Sequence, residues 1–189
     1  MTMRVYLYST QLPHFDSIII QNMLPTFASI TPFLLHGVMD HSASEPLETL
    51  DLYDLLIQDF DPEIVMITLH EEASWLSQSF IEETISRLKP GFYTLERYLY
   101  EVTLDDPEYR RHLSIKLEKI LDKEMIDTLL KYATYEMNAS KASKKLYIHR
   151  NTLQYRFSVF HDKTGLDPKN FHTIALIYAC FHAQFMHSA

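Results

Sequence analysis

Strand-like patterning stops near residue 104 of this 189-residue chain, and everything after it reads as helix. That change limits the fold to a mixed first part joined to an all-helical second part, because each kind of element buries its apolar side differently. Before the change, residues 4–9 (RVYLYS) alternate aromatic, aliphatic and β-branched side chains and read as a first strand. Residues 13–24 have the length of a helix, although the run Ile18-Ile19-Ile20 suits a strand better. Residues 30–35 read as a second strand, and residues 47–60 as a helix with Leu47, Leu50, Tyr53 and Ile57 at helical spacing. Asp61-Pro62 ends that helix, and residues 63–69 (EIVMITL) form the best buried strand in the chain. Residues 71–88 then read as one long amphipathic helix carrying Trp75, Leu76, Phe80, Ile81, Ile85 and Leu88. Strands alternating with helices predict a small α/β layer with a mainly parallel sheet.

Turn-rich breaks fall at residues 36–46, 89–91 and 104–107, while the aromatic stretch 91–103 fits either a last strand or a helix. Asp106-Pro107 is a helix start signal, and residues 110–121 and 123–137 carry helical periodicity. The expected organisation is an α/β regulatory or dimerisation domain over residues 1–104 and a helical domain over residues 105–189.

Several function classes are disfavoured by what the chain lacks. Three glycines in all leave no room for a GxGxxG turn or a phosphate-cradling P-loop. Ser74, Ser77 and Ser79 have no sharp-turn glycines beside them, so no nucleophile elbow is expected. Glu71-Glu72 and Glu82-Glu83 read as a solvated helix face. Among the ten histidines, His182 and His187 are five apart and His36 and His41 flank a glycine near Asp40, with no cysteine pair or HExxH pattern. No enzyme activity, metal or cofactor is expected. The lone Cys180 cannot close an intramolecular disulfide and suits a reducing compartment. The opening MTMRVYLYST has no apolar leader, and the apolar run at residues 174–181 is too short to span a bilayer, so a cytoplasmic protein off the membrane is expected.

The formal net charge is −8, which argues against a polyanionic partner until its distribution is read. Residues 1–137 carry 10 basic and 23 acidic side chains. Residues 138–164 carry Lys141, Lys144, Lys145, Arg150, Arg156 and Lys163 against Asp162, a net charge of +5. Screening over about 8 Å at physiological salt partly separates the two fields. A local positive footprint is what steering toward phosphates needs, although a charge run is more often a solvated face.

The pattern within residues 138–160 (NASKASKKLYIHRNTLQYRFSVF) decides between those readings. Asn138 or Ser140 can N-cap a short helix whose inward face is Ala139, Ala142 and Leu146. Leu146-Tyr147-Ile148 makes a compact turn, and a second helix begins near His149 with Leu153, Phe157 and Phe160 as its core face. Its other face presents Arg150, Asn151, Gln154, Tyr155 and Arg156. Arginine pairs bidentately with guanine and asparagine or glutamine with adenine, each worth roughly 1–3 kcal/mol of discrimination. Lys141, Lys144 and Lys145 would follow phosphates along the first helix, with His149 near a phosphate at the start of the second. Arg150, Asn151 and Gln154 are the expected base readers. Tyr155 fits packing and DNA contact equally, and Thr152 is expected to be structural.

Residues 138–156, with the Thr164-Gly165-Leu166-Asp167 turn, resemble the C-terminal helix-turn-helix of the PucR family of bacterial transcription regulators. The HRNTLxYR string at residues 149–156 and the TGLD turn carry the resemblance, which extends over residues 110–185. It implies a Fis-like helical module that binds double-stranded DNA, normally as a homodimer. The sequence departs from the family in having Met137 where a glycine is usual and Gln154 where arginine is common. The order of elements in the first part also resembles a response-regulator receiver domain, at the level of pattern alone. A receiver here would be degenerate, since Tyr8-Ser9-Thr10 and Thr68 stand where its acidic cluster and phosphoacceptor Asp belong. The N-terminal domain is therefore left with an unknown effector or protein partner. The competing reading is a protein-interaction adaptor that retains the helical module.

Overall fold

The computed structural model describes residues 2–11, 28–40, 49–59, 61–104 and 106–186. The chain forms two compact units, Met1–Leu95 and Glu96–Ala189. In the first, strands β1 (Thr2–Tyr8), β2 (Ala28–Thr31), β3 (Leu34–Asp40), β4 (Val65–His70) and β5 (Gly91–Thr94) make one sheet in the order β2-β3-β1-β4-β5. An α/β unit followed by an all-helical unit is the fold class expected.

The strand directions differ from the expectation. β1 runs antiparallel to both β3 and β4, β2 runs antiparallel to β3, and β4 and β5 are parallel. A mainly parallel sheet does not form because the two residues Pro32-Phe33 reverse the chain between β2 and β3, where a parallel pair would need a long crossover. Residues 30–35, read as a single strand, hold this reversal, and the stretch read as a break from residue 36 continues as strand to Asp40. A receiver is a doubly wound parallel sheet, so that resemblance does not extend to the strand directions. The helix expected at residues 13–24 lies outside the described residues.

Alternation along β1 sends its side chains to two faces. Val5 and Leu7 join Ile64 and Met66 in a core cluster with Leu52 and Leu56 of α1 (Thr49–Asp59). Tyr53 and Ile57 pack on this cluster, whereas Leu50, expected on the apolar face, is 51% exposed. On the other face Tyr6 stacks on its cross-strand partner His36, with ring centroids 4.5 Å apart, and the Arg4 guanidinium donates to the Ala73 carbonyl at 2.7 Å. β4 is buried along most of its length because both its faces are covered, which explains its unbroken apolar run. The buried Asp61 carboxylate accepts from the Ser9 hydroxyl and from the Glu63 N–H at 2.9 Å, closing the turn into β4.

The long helix expected over residues 71–88 is broken. A 3-10 turn (Glu71–Trp75) gives way to extended backbone at Leu76 and Ser77, then α2 (Gln78–Thr84) and a second 3-10 turn (Ile85–Arg87). Serines at positions 74, 77 and 79 weaken a continuous helix, because their hydroxyls compete for backbone groups. Leu76, Phe80, Ile81 and Ile85 are buried nonetheless, so the apolar pattern is satisfied by a kinked path.

β5 runs directly into α3 (Leu95–Leu104), and the helical unit continues with α4 (Pro107–Glu118), α5 (Lys123–Thr134), α6 (Ala139–Lys145), α7 (Arg150–Thr164) and α8 (Phe171–Met186). Asp106 caps α4 by accepting from Glu108 and Tyr109, and Asp122 caps α5 by accepting from Met125 at 2.8 Å. α8 packs against α4 and α5 with Leu176, Ile177 and Phe181 buried. Among the described residues no helix is long and apolar enough to cross a membrane.

Burial, and then the nearby Arg4, hold the His36 ring below the ordinary histidine pKa. The unfolded chain therefore takes up this proton first, and stability falls as pH drops through about 6.5, the unfolded value, until the folded ring also protonates. Thermal unfolding followed by circular dichroism from about pH 8 to 5 should show wild type losing stability faster than His36→Phe, which keeps a stacked ring that cannot protonate. Parallel curves for the two proteins would show that His36 does not contribute to the loss.

Candidate nucleic-acid interface

The interface is built on the seam that seats α7. Leu153 and Phe160 are fully buried and Phe157 is 3% exposed, with the Phe157 ring 4.8 Å from that of Tyr132 on α5. Ala142 and Ser143 of α6 are also buried, so α6 and α7 pair as two helices of a helix-turn-helix. Of the two cap candidates, Asn138 is the one used, its side chain accepting from the Lys141 N–H at 3.0 Å. α7 starts on His149, whose Nδ1 accepts from the Asn151 N–H at 3.2 Å. It stops at Gly165, in left-handed backbone with φ 71°, where Thr164 donates back to the Phe160 carbonyl at 2.7 Å.

The turn between the helices is set by a hydrogen-bond pattern at the end of α6. The Ile148 N–H reaches the Ser143 carbonyl at 3.1 Å and the Tyr147 N–H reaches Lys144 at 3.2 Å. This is the Schellman arrangement, whose first residue beyond the cap is left-handed and usually glycine. Tyr147 occupies that position with φ 56°. α5 ends in the same way, with Glu136 at φ 58° and Met137 at φ 57°, and with the Met137 N–H on the Tyr132 carbonyl at 3.0 Å. A left-handed side-chain-bearing residue costs about 1–2 kcal/mol. The glycine usual at the position of Met137 has its reason here: the backbone demands positive φ.

The residues read as one outward face separate into three groups. Arg150, Asn151, Thr152 and Tyr155 are exposed, and Asn151 and Tyr155 lie one turn apart opposite the seam. Gln154 is half-buried and borders a cleft of about 350 Å³ with Ser158, Asp162 and Lys169. Arg156, expected beside them, lies at the flank of the helix. Its guanidinium turns back onto α5, donating to Thr128 Oγ1 at 2.7 Å and pairing with Glu124, and its side chain is 18% exposed. Five residues on adjacent turns cannot all oppose a three-residue seam when each step turns the helix by about 100°, and position 156 falls beside α5. Among the lysines, Lys144 and Lys145 are exposed in the last turn of α6, and Lys141 is exposed but paired with Glu136 at 3.0 Å. Such an exposed pair is weak enough to exchange for a phosphate. Tyr147, 95% exposed between these groups, lies outside the residues expected at the interface. Its signal was the absence of glycine in a helix-helix turn.

Residues 125–183 match the family described as PucR C-terminal helix-turn-helix domain. The uncharacterized protein YxkF of Bacillus subtilis (strain 168) is 33% identical over 57 residues, a match covering 30% of this chain and 19% of that protein. The crystal structure of the regulator of polyketide synthase expression from Bifidobacterium adolescentis is similar over 100% of this chain and 82% of its own, at 14% identity and a TM-score of 0.49.

Relief of left-handed strain gives a direct test of the geometry. Met137→Gly should raise stability by about 0.5–1 kcal/mol in urea unfolding, the relief of strain less the entropy glycine adds to the unfolded chain. Asn138→Ala should lose about 0.5–2 kcal/mol with its cap. A destabilised Met137→Gly or a neutral Asn138→Ala would contradict the connection described here.

Proposed function

We propose that this chain, whose C-terminal unit carries a PucR-type helix-turn-helix domain, is a transcription regulator that inserts the first turns of α7 into the DNA major groove. The observation that carries the reading is the exposure of Arg150 and Asn151 at the N-terminal end of a helix that Leu153, Phe157 and Phe160 seat in the core. Arg150 and Asn151 read base edges, with Tyr155 beside them and Gln154 at the flank. Lys144 and Lys145, with Lys141 once it leaves Glu136, neutralise phosphates, and His149 approaches a phosphate at the helix start. Arg156 serves as a positioning residue by tying α7 to α5 through Thr128 and Glu124.

A single recognition helix covers a small footprint, so the protein works as a homodimer on two half-sites about 34 Å apart. The N-terminal unit supplies dimerisation or receives an effector or protein partner.

Selection from a pool of randomised duplexes, followed by fluorescence anisotropy at two salt concentrations, tests this. An enriched inverted repeat is expected, and a lone half-site would overturn the dimer. Arg150→Ala should weaken the selected site by roughly 1–3 kcal/mol and relax preference at one base pair. Lys144→Ala should weaken all duplexes alike and flatten the salt dependence by about 0.9 in log–log slope. Failure to enrich any sequence, or equal binding by wild type and Arg150→Ala, would overturn the assignment of α7 as the reading helix.

A further inference from the structure

We infer that Tyr147 is a DNA-backbone contact, its phenol hydroxyl donating to a phosphate oxygen at the lip of the groove that α7 enters. The inference rests on the DNA-binding reading above and adds to it a residue outside the recognition helix. It begins from a conflict between backbone and side chain. The Schellman bonds from Tyr147 and Ile148 hold residue 147 at φ 56°, where glycine is the relaxed choice. Tyr147 is 95% exposed, the most exposed large apolar or aromatic side chain among the described residues. The fold thus carries the strain and receives no burial in return, and strain of this kind points to a binding role.

The position says what is bound. Tyr147 follows the exposed Lys144 and Lys145 and precedes His149 and Arg150, which open α7. In a helix-turn-helix the first helix crosses the sugar–phosphate backbone and the second enters the groove. The turn joining them therefore lies over the backbone at the groove edge. Tyrosine is among the side chains that donate to phosphates there, and its ring adds contact area at low entropic cost because it has few rotatable bonds. As a neutral donor it displaces no counterion, so its contribution should be equal for all sequences and independent of salt. That signature separates it from Arg150, which discriminates sequence, and from Lys144, which changes the salt slope.

The experiment uses the full chain, with Tyr147→Gly, Tyr147→Phe and Arg150→Ala beside wild type. The probes are the duplex selected by wild type and a mixed-sequence duplex of equal length. Tyr147→Gly should melt higher than wild type by about 2–5 °C, yet bind both duplexes about two- to tenfold more weakly, the loss of a hydrogen bond and its ring contact. Tyr147→Phe should melt with wild type and bind both duplexes measurably more weakly, and neither variant should change the salt slope. A Tyr147→Phe that binds like wild type overturns the hydroxyl contact. If both bind like wild type while Arg150→Ala is weakened, Tyr147 does not touch DNA and the recognition helix stands. If wild type binds neither duplex, or Arg150→Ala also binds like wild type, both readings fall together. A Tyr147→Gly that melts below wild type overturns the inference as well, since the side chain would then be serving the fold.

Discussion

The candidate interface depends on the rotation of α7 about its own axis, and that rotation is fixed by the burial of Leu153, Phe157 and Phe160. A helix turning about 100° per residue can bury a stripe on one side only, so seating these three leaves Asn151 and Tyr155 facing away. Two further interactions hold the setting. Phe157 tilts against Tyr132, and Arg156 reaches from the flank of α7 to Thr128 and Glu124 on α5. α7 is thus held on its inner side, while Asn151 and Tyr155 on its outer side are exposed.

Compactness in this unit comes from strained connections. α5, α6 and α7 are joined by turns in which Glu136, Met137 and Tyr147 all adopt positive φ. These tight turns satisfy helix-end carbonyls with backbone donors and keep the cationic residues within one short segment. Charge follows the same economy of space. The chain as a whole is acidic at −8 while residues 138–164 are at +5, and screening over about 8 Å lets the local field govern encounter with a polyanion.

Much of this was legible because the residues concerned answer to one local rule each. The seam of α7, the Asn138 cap and the Gly165 stop follow from helical spacing, a side-chain acceptor and a residue without a Cβ. The failures share the opposite character. The β2–β3 reversal at Pro32-Phe33 looked like continuous strand, because apolar residues flank it on both sides. The kink at Leu76-Ser77 was hidden by apolar residues that keep helical spacing while the backbone does not. β5 passes into α3 between Thr94 and Leu95 without glycine or proline to mark it. Arg156 has a type that suits DNA, while its angular position brings it to Thr128 and Glu124 on α5. Tertiary neighbours decided that case, and one helix viewed alone does not contain them.

Whether α7 enters the major groove can be seen base by base in dimethyl sulfate footprinting on the selected duplex. This reagent methylates guanine at N7 in the major groove and adenine at N3 in the minor groove. Major-groove entry predicts protection of guanine N7 within each half-site, lost for one guanine when Arg150 is replaced by alanine. Protection confined to adenine N3, or binding with no base protected, would contradict it, because α7 would then not lie in the major groove.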